Sequence, residues 1–251
     1  MSVDSELECR WGTTPNFGPR AAGFTPDILL MHYTAMASGE AAIDWLCDPS
    51  SGVSCHYLVD DDGTITQMVS EDQRAWHAGQ SSWKGVRDIN SCSIGIEIQN
   101  PGPDAGPVAF PDIQMVAVEA LSRDIIGRHK IASERVLAHS DVAPGRKIDP
   151  GETFDWARLN RAGIGHWVEP MVISDGPVLK PGDQGGEVER LQGLLKQYGY
   201  GVEITGLYDL STEKSVEAFQ LHFRQEKVDG LADLSTKLTL ERLVAGLHTA
   251  V

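Results

Sequence analysis

The sequence predicts an α/β protein: a mixed central β-sheet flanked by helices, followed by a small three-helix domain. Three observations carry this prediction. Short β-rich runs alternate with helical patterns over the first two thirds of the chain. Two of those runs are joined by a D-G turn, so one hairpin interrupts an otherwise parallel order. The last stretch, about 70 residues, shows helical spacing alone and is near the size at which a single core becomes marginal. At 251 residues the chain has room for both parts.

The elements follow in order. Residues 27–33 (DILLMHY) form a continuous apolar run ending in His32, the pattern of a buried strand. Ser38 can cap a helix carrying Ala41, Ala42, Ile43 and Trp45. Residues 56–59 and 64–69 are strand-like and flank Asp60, Asp61, Asp62 and Gly63, a hairpin turn rather than a calcium loop, whose alternating acidic spacing is missing. Residues 93–98 (SIGIEI) alternate, so Glu97 faces away from Ile94, Ile96 and Ile98. Pro111 opens a long helix with apolar positions at Ile113, Val116, Ala120, Leu121, Ile125 and Ile126. Residues 136–138 are a short strand ending in His139, and a short helix is expected around residues 154–162. Pro170, Gly176 and Pro177 mark a linker. This divides the chain into residues 1–167, a linker at 168–178, and 179–251. The last part reads as three helices: residues 186–198, one starting after Ser211, and one starting near Ser235.

Composition excludes several classes. The formal charge of −15 argues against nucleic acid or an anionic membrane surface, which require clustered Lys and Arg. From Leu179 onward there are 8 basic and 11 acidic residues, so most of the acidity belongs to the first part. Cys9, Cys47, Cys55 and Cys92 lack CxxC spacing and read as buried thiols, not a disulfide frame. The first twenty residues hold no basic-then-apolar leader and no lipid-attachment signal, and nothing reaches membrane-spanning length. The expectation is a cytoplasmic protein, with periplasmic or phage-delivered action as the alternative.

The segment VLAHSDVAPGRKIDPG (residues 136–151) concentrates the chemistry. It sets His139, Lys147 and Asp149 around a turn stiffened by proline and glycine. Lys147 and Asp149, two residues apart, point to one side of an extended segment. With His32 and Glu97 at other strand ends, two neutral histidines and a carboxylate suit a catalytic zinc that keeps a position for water. Glu97 is then a candidate general base and Lys147 a candidate oxyanion partner. Asp141 has the same offset from His139, and His56 and His77 compete as ligands. His129, His166, His222 and His248 lie outside the constellation and take no role.

MHYT around His32, VSCHYLVDDDGTITQMV, RAWHAG around His77, SIGIEIQNPG around Glu97 and HSDVAPGRKIDPG, in that order, resemble the zinc N-acetylmuramoyl-L-alanine amidases, which share their fold with the peptidoglycan-recognition proteins. The resemblance runs over residues 27–165. It implies His32, His139 and Asp149 as zinc ligands, Glu97 as base and Lys147 as oxyanion partner. It also implies Trp76, His77, Trp83, Arg87 and Asn90 along a muropeptide groove, with His56 on a strand bordering it. Phage-type relatives carry tyrosine at the position of Cys55 and cysteine at that of Asp149. This chain has neither, which aligns it with the bacterial recycling and lipoprotein amidases. Gly182, Gly185, Val188, Leu191, Gln192, Leu195, Gly206, Tyr208, Asp209, Phe219, Gln220, Asp229, Gly230 and Thr236 resemble the small peptidoglycan-binding helical domain, with Asp233 where its final turn usually has glycine.

The resemblance implies hydrolysis of the amide between N-acetylmuramic acid and L-alanine in soluble, often 1,6-anhydro, muropeptides. A wall-lytic or remodelling amidase acting on intact peptidoglycan is the second reading, which the helical domain favours. A recognition protein without catalysis is the third, although such proteins usually lose a zinc ligand.

Overall fold

The apolar run that contains His32 forms strand β3 (Ile28–Tyr33), buried along five of its six residues. A computed structural model describes residues 3–247. Chain order is β1 (Cys9–Trp11), β2 (Phe17–Pro19), β3, α1 (Gly39–Cys47), β4 (Tyr57–Val59), β5 (Ile65–Gln67), β6 (Gln73–Ala75), α2 (Ile89–Cys92), β7 (Ser93–Ile98), α3 (Asp112–His129), β8 (Val136–Ala138), α4 (His139–Val142), α5 (Trp156–Arg161), α6 (Gly186–Tyr198), α7 (Leu210–Phe223) and α8 (Leu234–Gly246). Six strands make one sheet in the order β1-β5-β4-β7-β3-β8, and β2 pairs with β6 apart from it. Only β4 and β5 are antiparallel in the large sheet, so it is mixed, as the sequence predicts. The hairpin closes where expected: Gly63, at φ 83°, donates to Asp60 O, and Thr64 N donates to Asp62 Oδ1. Ser38 caps α1 by accepting from Ala41 N.

Alternation along β3 and β7 separates two faces. Leu29, Met31, Ile94, Ile96 and Ile98 pack with Val118, Leu121 and Ile125 of α3. Ile28, Leu30, Leu137 and Val142 face the other way and share a core with Tyr198, Val216, Phe219 and Phe223 of the helical part. Burying each such side chain contributes roughly 1.5–3 kcal/mol, so this shared core holds the two parts together far more firmly than a linker does.

Helix α3 departs from its predicted stripe. Ile113 and Val116 are 59% and 52% exposed, while Gln114, Met115, Val118, Leu121, Ser122 and Ile125 are buried. The reason is polar: Gln114 Nε2 donates to the carbonyls of Val59 and Gln99, where β4 and β7 end, and so takes an inward position that an apolar-only pattern cannot register. The cysteines are free, as expected of thiols, but only Cys55 and Cys92 are buried; Cys9 and Cys47 are half-buried. In the helical part, Asp209 and Asp233 cap α7 and α8, accepting from Thr212 N and Thr236 N. Asp233, the departure from the usual glycine, is therefore an N-cap. His248 lies outside the described residues. Among those described, no helix is long and apolar enough to cross a membrane.

Candidate metal centre and its cleft

Parallel pairing assembles the site. In β3, His32 lies opposite Glu97 of β7, and Met31 lies opposite Ala138 of β8. The next residue is His139, so three strand ends deliver His32, Glu97 and His139 to one edge of the sheet, where open α/β sheets generally bind ligands. His139 is the first residue of α4 and not the last of the strand, a shift of one position. Asp149 returns on the following turn; its peptide bond to Pro150 is cis.

His32 Nδ1, His139 Nδ1 and Asp149 Oδ2 converge, with separations of 2.9 Å between the imidazoles and 3.0 and 2.9 Å to the carboxylate. All three side chains are buried. Burial, reinforced by the neighbouring His139, lowers the pKa of His32 to about 4, so it is neutral near pH 7. Burial opposes the charge on Asp149, but the two histidines outweigh it and hold the carboxyl below the usual range.

The surrounding acceptors determine where the ring protons sit. His139 Nε2 lies 3.1 Å from the Ala78 carbonyl, which can only accept, and 3.3 Å from Arg146 Nη2, which already donates to that carbonyl at 2.5 Å; the nearer oxygen therefore sets the tautomer, with the proton on Nε2 and a lone pair on Nδ1. For His32 the chain of inference is longer. Ser93 Oγ donates to Ile89 O at 2.6 Å, so toward His77 Nε2, at 3.3 Å, it accepts. His77 Nε2 is therefore protonated, its Nδ1 accepts from His32 Nε2 at 3.0 Å, and His32 Nδ1 is left bare. Two nitrogen lone pairs and a carboxylate oxygen then face one another at about hydrogen-bond distance with no proton between them. That arrangement repels itself unless a cation lies among the three, and the donor set fits a divalent metal that accepts imidazole and carboxylate.

Glu97 stands beside this trio. Its Oε2 has no hydrogen-bond partner among the described residues. Burial first, and the charge of Asp149 second, raise its pKa well above the usual carboxyl value, while Lys147 pulls it back. A cleft of about 250 Å³ opens onto Glu97, Lys147, Asp149 and His139, and its opposite wall is apolar, with Met36, Trp45, Leu46 and Val53. Tyr33, Trp76 and His77 also line it.

The other predicted groove residues lie elsewhere. Trp83 is fully buried, its ring 5.1 Å from Tyr200 and 6.0 Å from Tyr198, so it belongs to the core shared with the helical part and not to a groove. Gly199 makes room for it, since a Cβ there would lie 2.4 Å from the indole. His56 is buried behind Gly95: its Nδ1 accepts from Gly95 N and its Nε2 faces Gln73 O, so it holds backbone and does not face the cleft. Asn90 Oδ1 accepts from His77 N and Ala78 N, bracing the loop from within. Arg87 is exposed and does not line the cleft. His77 keeps its place on the wall and in addition orients His32. The sequence offered a hint of this in Gly95, where any Cβ would fall 2.5 Å from the His77 ring. Arg146 went unread although it neighbours Lys147. It donates to Ala78 O and Gln80 O and so fixes the carbonyl that sets His139.

Comparison with known proteins places these features. The profile described as N-acetylmuramoyl-L-alanine amidase matches residues 22–152, and that described as putative peptidoglycan binding domain matches residues 184–240. The N-acetylmuramoyl-L-alanine amidase AmiD of Escherichia coli is 35% identical over 229 residues, covering 86% of this chain and 82% of its own. The structure of that enzyme with anhydro-N-acetylmuramic acid-L-Ala-D-gamma-Glu-L-Lys superposes with a TM-score of 0.74 at 35% identity, over 90% of this chain and 91% of the other. AmpDh3 of Pseudomonas aeruginosa, in complex with anhydromuramic pentapeptide, gives a TM-score of 0.72 at 28% identity, over 98% and 99%.

Proposed function

The chain belongs to the N-acetylmuramoyl-L-alanine amidase family, and from that premise we propose that it is a zinc hydrolase of soluble 1,6-anhydromuropeptides, cutting between the lactyl group of the muramic acid and L-alanine. The observation that carries this reading is the convergence of the His32, His139 and Asp149 lone pairs beside a Glu97 carboxyl whose Oε2 has no partner among the described residues. Zinc held by those three atoms would supply Lewis acidity toward the scissile carbonyl and acidify a water. Glu97 takes a proton from the attacking water and returns it to the departing amine nitrogen, a role served by a carboxyl whose pKa burial raises well above the usual carboxyl value. Lys147 sets its ammonium against the oxygen that becomes negative as the carbonyl turns tetrahedral. Trp76 and the apolar wall at Trp45 and Val53 exclude water and give the sugar and peptide a surface. The relatives crystallised with anhydromuramic peptides support the substrate class.

Cytoplasmic residence belongs to the same proposal, and fractionation of the native protein checks it. The match of residues 184–240 to a peptidoglycan-binding profile favours a second reading, an amidase working on the intact wall. The test is hydrolysis by the zinc-loaded full chain of an anhydromuropeptide and of purified sacculi, with the released peptide followed by chromatography. Faster turnover of the soluble substrate is expected. Preference for sacculi would move the assignment to the second reading, and cleavage of neither would overturn both.

A further inference from the structure

Asp141, two residues beyond His139, is fully buried, and its two carboxylate oxygens receive three donors. Ala138 N donates to Oδ2 at 2.8 Å, His222 Nδ1 faces the same oxygen at 2.7 Å, and Tyr200 Oη donates to Oδ1 at 2.6 Å. Two of the three come from the helical part: Tyr200 lies two residues past the end of α6, and His222 is in α7. His222 is held on both faces, stacked on Trp156 of the sheet part at 3.7 Å and on Phe223 at 3.8 Å between ring centroids.

Helix α4 has four residues, too few to hold its own shape, so what fixes its ends fixes its geometry. Asp141 holds its N-terminal end through the Ala138 N–H at the point where β8 ends, next to the Ser140 N–H that donates to Asp149 O. A buried carboxylate left short of donors is costly and would draw water or move, taking that first turn with it. His139 is the first residue of the turn, and its imidazole must stand between Ala78 O and Asp149 Oδ2.

We propose that Tyr200 and His222 are positioning residues for the metal site: by satisfying Asp141 they set the α4 turn and, through it, the Nδ1 of His139. The helical part thus completes the amidase site from behind, whatever else it binds. The inference rests on the reading of His139 as a zinc ligand.

The test uses the full chain with Tyr200→Phe, His222→Ala and His222→Asn. Zinc affinity is measured by competition with a chromogenic chelator, alongside kcat and KM on an anhydromuropeptide and the visible spectrum of the cobalt-substituted protein. Tyr200→Phe and His222→Ala should each weaken zinc binding about tenfold, the low end for groups behind a metal ligand, with a matching fall in kcat and KM within twofold. Asparagine can place an amide N–H near the position of the histidine Nδ1, so His222→Asn should recover most of the loss. Tyr208→Phe is the control: it removes a buried hydroxyl that donates to Gly230 O within the helical part and should lower the melting temperature with zinc affinity unchanged. Zinc affinity and cobalt spectra of Tyr200→Phe and His222→Ala equal to those of the parent would overturn the inference alone. A parent chain that binds no zinc would overturn it together with the reading on which it rests.

Discussion

Two histidine–carboxylate clusters among the described residues, one around Glu71 and one at the strand ends, behave as opposites. Near the end of α3, Glu71 accepts from Tyr57 Oη at 2.7 Å and His129 Nε2 at 2.6 Å, and it pairs with Arg128, which also bonds Asp124. At the strand ends, His32, His139 and Asp149 present acceptors to one another, and Glu97 Oε2 has no partner among the described residues. The first cluster contains its own permanent cation and is complete. The second asks for one. Buried titratable groups therefore do not by themselves mark a site; the mark is a set of lone pairs that the protein has not satisfied.

That contrast can be broken most directly at its two carboxyls. Glu97→Gln should cut kcat by about 10²–10⁴-fold while zinc stoichiometry, read by metal analysis, stays at the parent value. Glu71→Gln should leave kcat within about twofold; a catalytic loss there would erase the distinction between the clusters.

Glu71 should act on stability instead. Burial opposes its charge, but His129, Arg128 and Tyr57 outweigh that and depress its pKa from 4.5 to about 2. A depressed carboxyl stabilises the fold at pH above its unfolded value, and that stability is lost as pH falls from about 4.5 toward 2. The difference corresponds to about 3 kcal/mol. Thermal melts across that window should show the decline in the parent and a shallower one in Glu71→Gln.

His77 sharpens the comparison from the other side. His77→Ala removes the acceptor for His32 Nε2–H and should weaken zinc binding about 10- to 100-fold in a chelator titration. The smallest effect is expected at the surface. Arg190 and Glu241 pair at 2.9 Å with side chains 62% and 34% exposed, and Arg190→Ala should cost less than about 1 kcal/mol in denaturant unfolding, with zinc binding untouched.

Legibility in the sequence followed from how local the cause was. His32 and Glu97 could be read because each interrupts a strand pattern, and Lys147 and Asp149 because a proline-glycine turn isolates them. The mixed sheet followed from one D-G turn. Strands β1, β2 and β6 went unread, being three-residue pieces made by pairing with distant partners. The inward face of α3 was misread because Gln114 and Ser122 occupy buried positions on it. Trp83 was assigned to a groove because its burial is decided by Tyr198, Tyr200 and Gly199, more than a hundred residues later. For the same reason His222 received no role, since nothing near it in sequence announces Asp141.

The core shared by Ile28, Leu30 and Leu137 with Phe219 and Phe223 has a consequence for how such chains can be recombined. A module joined only through its linker can be traded for another of similar size. Here the exchange would strip one face of the sheet and leave Trp83 and Asp141 without their packing partners. The boundary that looks exchangeable at residues 168–178 is therefore a poor seam for grafting. In a calorimeter the two parts should melt as one cooperative unit.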